Sequence, residues 1–292
     1  MKSTGDAVSG VFESLSRAPV VPEDGDYKGV DGLWYCGKCR TRKQKLIRLP
    51  PGAAFVAGGD IVVACQCKCQ EEAYEKKMAE YEYQEEMRRI QRRRDASMME
   101  SKYQTASFSS YQTEPGNERA FRTARRYVDK FDTMMQENQG LIFYGPVGTG
   151  KSFTAACIAN ELMDRNISVI MTSFVKILQN IQGPDCDEAR YIAMLNSAKL
   201  LILDDLGTER NTDFALEKVY NVIDSRVRAS MPMILTTNLE LKDMMDNEDI
   251  RYKRIYDRIF ETCYPVRVSG ESFRRKAAAL RFDEMEKLIG KE

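Results

Sequence analysis

There is no histidine anywhere in the 292 residues of this chain. Imidazole is therefore excluded both as a general base and as a metal ligand. Proton transfer must fall to carboxylates or water, and a zinc site must be built from thiolates or carboxylates. Net charge is missing too, since 44 Lys plus Arg balance 44 Asp plus Glu. Nothing global draws the chain to nucleic acid, so any such binding must come from local patches. No apolar run approaches the ~18–20 residues that span a bilayer. The N-terminus, MKSTGDAVSGVFESLS, lacks the charged-then-apolar order of a signal peptide. A cytoplasmic protein without a membrane partner is expected. Thiols stay reduced there, so the eight cysteines read as metal ligands or core residues.

What is present falls into four segments. Residues 1–30 are small and polar and read as a flexible lead. Residues 31–70 hold Trp34 and five of the cysteines. Residues 71–118 read as a helical connector and linker. Their first part runs for over 30 positions without Pro or Gly, which favours a long exposed helix. Residues 119–292 alternate helix and strand signals. LIFYG, ISVIMTS, KLLILDDL, MPMILTTN and YPVRVSG are short apolar strands separated by helical stretches. Near-continuous apolar strands in that order predict an α/β domain, its parallel sheet covered on both faces.

Gly145-Pro146-Val147-Gly148-Thr149-Gly150-Lys151-Ser152 matches G-x-x-x-x-G-K-[ST] in full, between a strand and a helix. Glycines let the backbone wrap an anion with its N–H groups inward, and the helix adds its positive end. Lys151 is placed to reach the β- and γ-phosphates of ATP, and the Ser152 hydroxyl to ligate Mg2+. The apolar strand Leu200–Leu203 ends in Asp204-Asp205, at the edge where open sheets bind ligands. Asp204 is expected on the magnesium. Asp205 is expected to orient the attacking water, since phosphoryl transfer needs little beyond positioning and charge stabilisation. Asn238 ends the next buried strand, within reach of phosphate and water if that strand lies between the other two.

Cys36-x2-Cys39 and Cys65-x-Cys67-x-Cys69 provide five thiols for a tetrahedral Zn–S4 site, one too many. Cys65 with Cys67, or Cys67 with Cys69, completes it, and the first pair is preferred. Cys157, Cys186 and Cys263 read as core residues.

GPVGTGKS, LLILDDLG, ILTTN, RIYDRIFE and SGESFRRKAA, in that order, resemble the helicase-loader branch of AAA+ ATPases, the DnaC/DnaI-like proteins. IstB transposition helpers share most of these motifs. The resemblance covers about 170 residues, roughly Phe121 to Glu292. It implies that the Asn238 strand lies between the other two and that Asn238 senses the γ-phosphate. It also implies that Arg258 is an arginine finger reaching a neighbouring subunit, and that Arg274 is a second phosphate sensor. The cysteine module would grip a hexameric replicative helicase through its zinc-bound fold, and the ATPase core would self-associate and bind single-stranded DNA. A basic face at Arg119, Arg122, Arg126 and Lys130, together with Phe174 and Lys176, would serve that DNA. Asp205 departs from the glutamate frequent in AAA+ proteins. A transposition helper, an ATP-switched adaptor with negligible hydrolysis, and a small-molecule P-loop kinase are the competing readings. The cysteine module argues against the first. Arg258 and the sensor residues argue against the last.

Overall fold

The computed structural model describes residues 20–48, 60–184, 186–208 and 212–290. Most of the expected N-terminal lead, residues 1–19, lies outside them. The chain forms two compact units, Met1–Glu86 and Met87–Glu292.

In the first unit, β1 (Tyr27–Lys28) pairs with β2 (Trp34–Tyr35), and β3 (Gln44–Arg48) pairs antiparallel with β4 (Asp60–Ala64). Residues from Glu23 onward therefore belong to this fold. The Asp26 carboxylate accepts the Gly37 amide at 3.0 Å and the Lys43 ammonium at 2.6 Å, with both side chains almost fully covered. Helix α1 (Lys68–Ala96) follows without a buried residue until its end, as its charged composition predicts, and crosses the boundary between the units.

In the second unit, α2 (Glu118–Asp129) and α3 (Phe131–Gln136) precede β5 (Gly140–Tyr144) and α4 (Lys151–Asp164). Then come β6 (Val169–Ser173), α5 (Phe174–Ile181), α6 (Glu188–Ser197) and β7 (Leu200–Leu206). Next are α7 (Asp213–Arg228), β8 (Met233–Thr237), α8 (Leu241–Met245) and α9 (Ile250–Thr262), and last β9 (Cys263–Arg267) and α10 (Phe273–Ile289). The strands form one parallel sheet in the order β6-β7-β8-β5-β9. Strand β8 thus lies between β7 and β5, as expected for the strand that leads to Asn238.

Alternate strand residues enter opposite cores. Leu141, Phe143, Leu200, Ile202 and Ile234 pack with α2 and α4. Ile142, Leu201, Leu203 and Leu235 pack with α5, α7 and α9. Both faces being covered, the strands can be apolar throughout. Helix starts are capped by Ser173, Asp187, Thr212, Asp249 and Ser272, whose side chains accept amides of the first turn.

Three expectations need correction here. Phe174 is fully buried in the second core, so it has no face to offer a base, and Lys176 pairs with Glu100 at 3.0 Å. The linker reading of residues 97–117 also gives way. Met99, Tyr103, Ala106 and Phe108 are buried in the first core, and Asn160 of α4 donates to the carbonyls of Tyr103 and Ala106. Finally, Cys157 and Cys263 are core residues, but Cys186 stands partly exposed ahead of α6.

Candidate functional site

The loop between β5 and α4 is shaped by glycine. Gly145, Gly148 and Gly150 all have positive φ, and a side chain on Gly145 would meet the Val268 carbonyl at 2.3 Å. Only glycine takes such conformations without strain. Thr149 closes the loop by donating to the Pro146 carbonyl at 2.9 Å. Lys151 is buried, and its ammonium donates to the carbonyls of Gly145 (2.8 Å) and Pro146 (2.7 Å). Burial holds its pKa below the usual lysine value.

At the end of β7 the register slips between Leu203 and Leu206, and Asp205 sits at φ 57°. This bulge turns both acids toward the loop. The Thr236 hydroxyl donates to Asp204 at 2.6 Å and accepts the Asp205 amide at 2.9 Å. Burial raises the Asp204 pKa, partly offset by hydrogen bonds from Thr236 and Ser152. Ser152 and Asp204 thus form a pair of hard oxygen donors, the kind magnesium takes.

A cleft of about 380 Å³ opens over this arrangement. Val147, Gly148, Gly150, Lys151, Ser152, Asp205, Asn238 and Arg274 line it. The start of α10 is anchored on the loop, for Phe273 donates its amide to the Gly148 carbonyl at 3.0 Å, and this carries Arg274 to the cleft. The opposite wall is Tyr103, Tyr111, Gln112 and Asn117. Tyr111 shares a 2.8 Å hydrogen bond with Thr154 of α4, and Asn117 donates to the Gln112 carbonyl at 3.0 Å. Neither that wall nor Thr236 was singled out in the sequence. The available signal was aromatic residues inside an otherwise polar stretch.

Arg258 is not in this cleft. It lies on α9, with Nε 2.9 Å from Asp224 and Nη1 2.8 Å from Glu261. Asp224 also holds Arg228 at 2.7 Å.

In the first unit, the sulfurs of Cys36, Cys39, Cys67 and Cys69 all lie within 4.8 Å of one another. The Cys36–Cys69 and Cys67–Cys69 separations are 3.5 and 3.3 Å. A zinc tetrahedron with ~2.3 Å bonds has sulfur–sulfur edges of ~3.8 Å, so the four fit such an ion. Hydrogen bonds from Thr41 and the Cys69 amide lower the Cys39 thiol to about 5. The neighbouring thiols push Cys69 up to about 12. A divalent cation at their centre relieves that conflict. The preference for Cys65 is corrected. Cys65 extends the β4 ladder, its amide bonded to the Lys43 carbonyl and its sulfur beside the Arg42 carbonyl. Cys67 and Cys69 instead sit where α1 begins, turned back toward Cys36 and Cys39.

The model of the IstB-like ATP binding protein family matches residues 62–280. The chain belongs to the IstB-like ATP-binding family. Among curated relatives, replicative helicase loader DnaC of Escherichia coli K12 is 26% identical over 213 residues, spanning 71% of this chain and 84% of DnaC. Replicative helicase loader DnaI of Bacillus subtilis 168 is 31% identical over 152 residues, 47% of this chain and 48% of DnaI. The solved DnaI structure superposes with a TM-score of 0.52 at 24% identity, over 59% of this chain and 95% of that one. The DnaC helicase loader gives 0.50 at 23%, over 58% and 100%. At that identity the two structures establish a shared fold. The IstB-like match takes in the whole loop–Asp204–Asn238–Arg274 set but begins after Cys36 and Cys39. Among the described residues, no helix is long and apolar enough to cross a membrane.

Proposed function

We propose that this protein is an ATP-dependent loader of a hexameric replicative DNA helicase, acting in the cytoplasm at replication initiation. What supports the reading is the convergence of Lys151, Ser152, Asp205, Asn238 and Arg274 on one cleft, in a chain whose curated relatives include replicative helicase loaders. Lys151 and Arg274 contact the phosphates of ATP. Ser152 and Asp204 hold magnesium, which supplies charge to offset the β- and γ-phosphates. Asp205 and Asn238 orient the attacking water, and hydrolysis drives release from the helicase. Arg258 belongs to a neighbouring copy's site, because in its own chain it stands away from the cleft. The Cys36–Cys39–Cys67–Cys69 unit holds zinc as a structural ion and grips the helicase. Residues 119–292 bind ATP, and the core takes up single-stranded DNA.

The family name also admits a transposition helper, and the four-thiol centre is the feature that favours a loader over it. The test is a loading assay with the replicative helicase of the same cell on circular single-stranded DNA. The chain should bind the helicase and raise the amount on DNA in an ATP-dependent way, and Lys151→Ala should retain helicase binding but lose loading. No binding to the helicase, with ATP hydrolysis intact, would reject the loader reading.

A further inference from the structure

Helices α7 and α9 pack against each other, and their seam holds an acid. Asp224 of α7 has a side chain only 11% exposed. One of its carboxylate oxygens takes Arg228 Nε at 2.7 Å, and the other takes Arg258 Nε at 2.9 Å. The Tyr220 hydroxyl donates to that second oxygen at 3.4 Å, and the Arg254 guanidinium lies 5.3 Å from the centre of the Tyr220 ring. A carboxylate taken so far out of water needs a charged partner. Arg228 already supplies one, on an oxygen of its own. The bond to Arg258 is therefore more than burial of the acid requires, and its consequence falls on the arginine. Glu261, the other acid on Arg258, is exposed and only three residues along the same helix, and such pairs hold a side chain weakly. Asp224 reaches Arg258 from a second helix, in a seam where salt screens less.

We infer that Asp224 is the positioning residue for Arg258, fixing its guanidinium before a neighbouring copy's nucleotide arrives. The inference rests on the reading of Arg258 as part of that neighbour's site. Asp224 touches no nucleotide of its own chain, since neither it nor Arg258 lines the cleft. Its work is preorganisation. A cation that stabilises a transition state acts best when it need not be ordered at the moment of reaction. A free arginine side chain has several rotatable bonds, and restricting them beforehand is worth up to ~30-fold in rate. The anchor does not cancel the charge it presents. Arg228, Arg254 and Arg258 stand against Asp224 and Glu261, which leaves the cluster cationic.

The experiment measures ATP hydrolysis and ATP affinity of the full chain and of Asp224→Asn, which keeps the shape and removes the charge. Turnover at saturating ATP should fall by roughly 10- to 30-fold, with KM and nucleotide affinity unchanged. In an Arg258→Ala background the same change should cost nothing further, because the residue it positions is gone. Mixing separates this role from a structural one. Asp224→Asn mixed with Asp205→Asn should exceed the activity of either alone, since some interfaces then join an intact Asp205 to a fully anchored Arg258. Asp224→Asn mixed with Arg258→Ala should show no gain, because both defects lie on the same side of the interface. A subunit damaged in its own nucleotide site is not rescued by a neighbour, so loss without recovery in the first mixture would overturn the proposal. So would wild-type turnover in Asp224→Asn where Arg258→Ala is inactive. Full turnover in Arg258→Ala itself would instead reject the reading on which the proposal stands.

Discussion

Thr236 Oγ1 lies 2.6 Å from Asp204 Oδ1, and the same oxygen accepts the amide of Asp205. One hydroxyl on β8 therefore sets the conformation of both acids at the end of β7. Thr236→Val keeps the shape and removes the oxygen. The Asp205 amide then loses its partner, at about 1–3 kcal/mol, and hydrolysis should fall while the fold persists. A pH effect should accompany it. Burial already raises the Asp204 pKa, and the Thr236 bond lowers it again. Without that bond the carboxyl protonates at higher pH, and a protonated carboxyl is a poor magnesium ligand. Magnesium-dependent nucleotide affinity should fall with falling pH in both proteins, and in Thr236→Val the fall should begin at higher pH. Thr236→Ser should restore the wild-type profile. Superimposable profiles for wild type and Thr236→Val would remove Thr236 from the site.

For the thiol centre, one zinc per chain with sulfur ligands only is expected, measured by elemental analysis and X-ray absorption on protein purified without chelator. The structure sharpens this into a comparison. Cys69→Ser should lose the metal, and Cys65→Ser should keep it, because Cys65 faces the Arg42 carbonyl. A unit this small would lean on a metal at these thiols to stay folded. Chelation should therefore lower the melting temperature of the first unit and leave nucleotide binding intact. Metal content lost in Cys65→Ser and kept in Cys69→Ser would reverse the assignment.

The contrast between these two cysteines shows what a sequence can carry. The Cys65-x-Cys67-x-Cys69 spacing is symmetric, so the string alone does not choose between the outer thiols. The choice is made where β4 stops and α1 starts, and that depends on pairing with β3 far away in the chain. The nucleotide site was legible because its chemistry is local: glycines at fixed spacing before Lys151, two acids ending an apolar strand, an Asn ending the next. The sheet was legible because its inner strands carry apolar runs, Leu141–Phe143, Leu200–Leu203 and Met233–Leu235. Thr236 was hidden, since a Thr in a buried strand is ordinary until its partner across the sheet is known. Phe174 was misread for a similar reason. An aromatic opening a helix looks the same whether it faces solvent or, as here, the core.

Arg226 predicts stability rather than activity. It is fully buried, and its guanidinium donates to the carbonyls of Asn196, Ala198, Lys199 and Pro232 at 2.9–3.3 Å. It ties α7 to the starts of β7 and β8, at the end of the sheet away from the nucleotide loop. Burial lowers its pKa to about 10, so it stays charged at neutral pH. Arg226→Leu should cost roughly 2–5 kcal/mol, through unpaired carbonyls and imperfect packing. Arg226→Lys should recover only part, since an ammonium lacks the planar fork. Denaturant unfolding measures both. A shift below ~1 kcal/mol in Arg226→Leu would show that water takes over these carbonyls.

Arg258 separates a shared catalytic site from a monomeric switch. In its own chain it is held by Asp224 of α7 and Glu261 of α9. Its own cleft is lined without it. A catalytic role therefore requires a second copy, whose nucleotide its guanidinium would approach. Such a cation neutralises charge developing on the transferred phosphoryl group, an effect of ~10³–10⁵ in rate. Arg258→Ala should keep nucleotide affinity and lose hydrolysis by at least ~10³. Asp205→Asn should lose hydrolysis as well, from the other side of the interface. Mixed together, the two inactive variants create some interfaces with an intact Asp205 facing an intact Arg258, and part of the activity should return. Wild-type turnover should also rise with protein concentration as copies associate. Hydrolysis that is unchanged in Arg258→Ala, or turnover per chain that is independent of concentration, would leave Arg258 as the surface ion pair it forms with Asp224 and Glu261, and the ATP site as one that works alone.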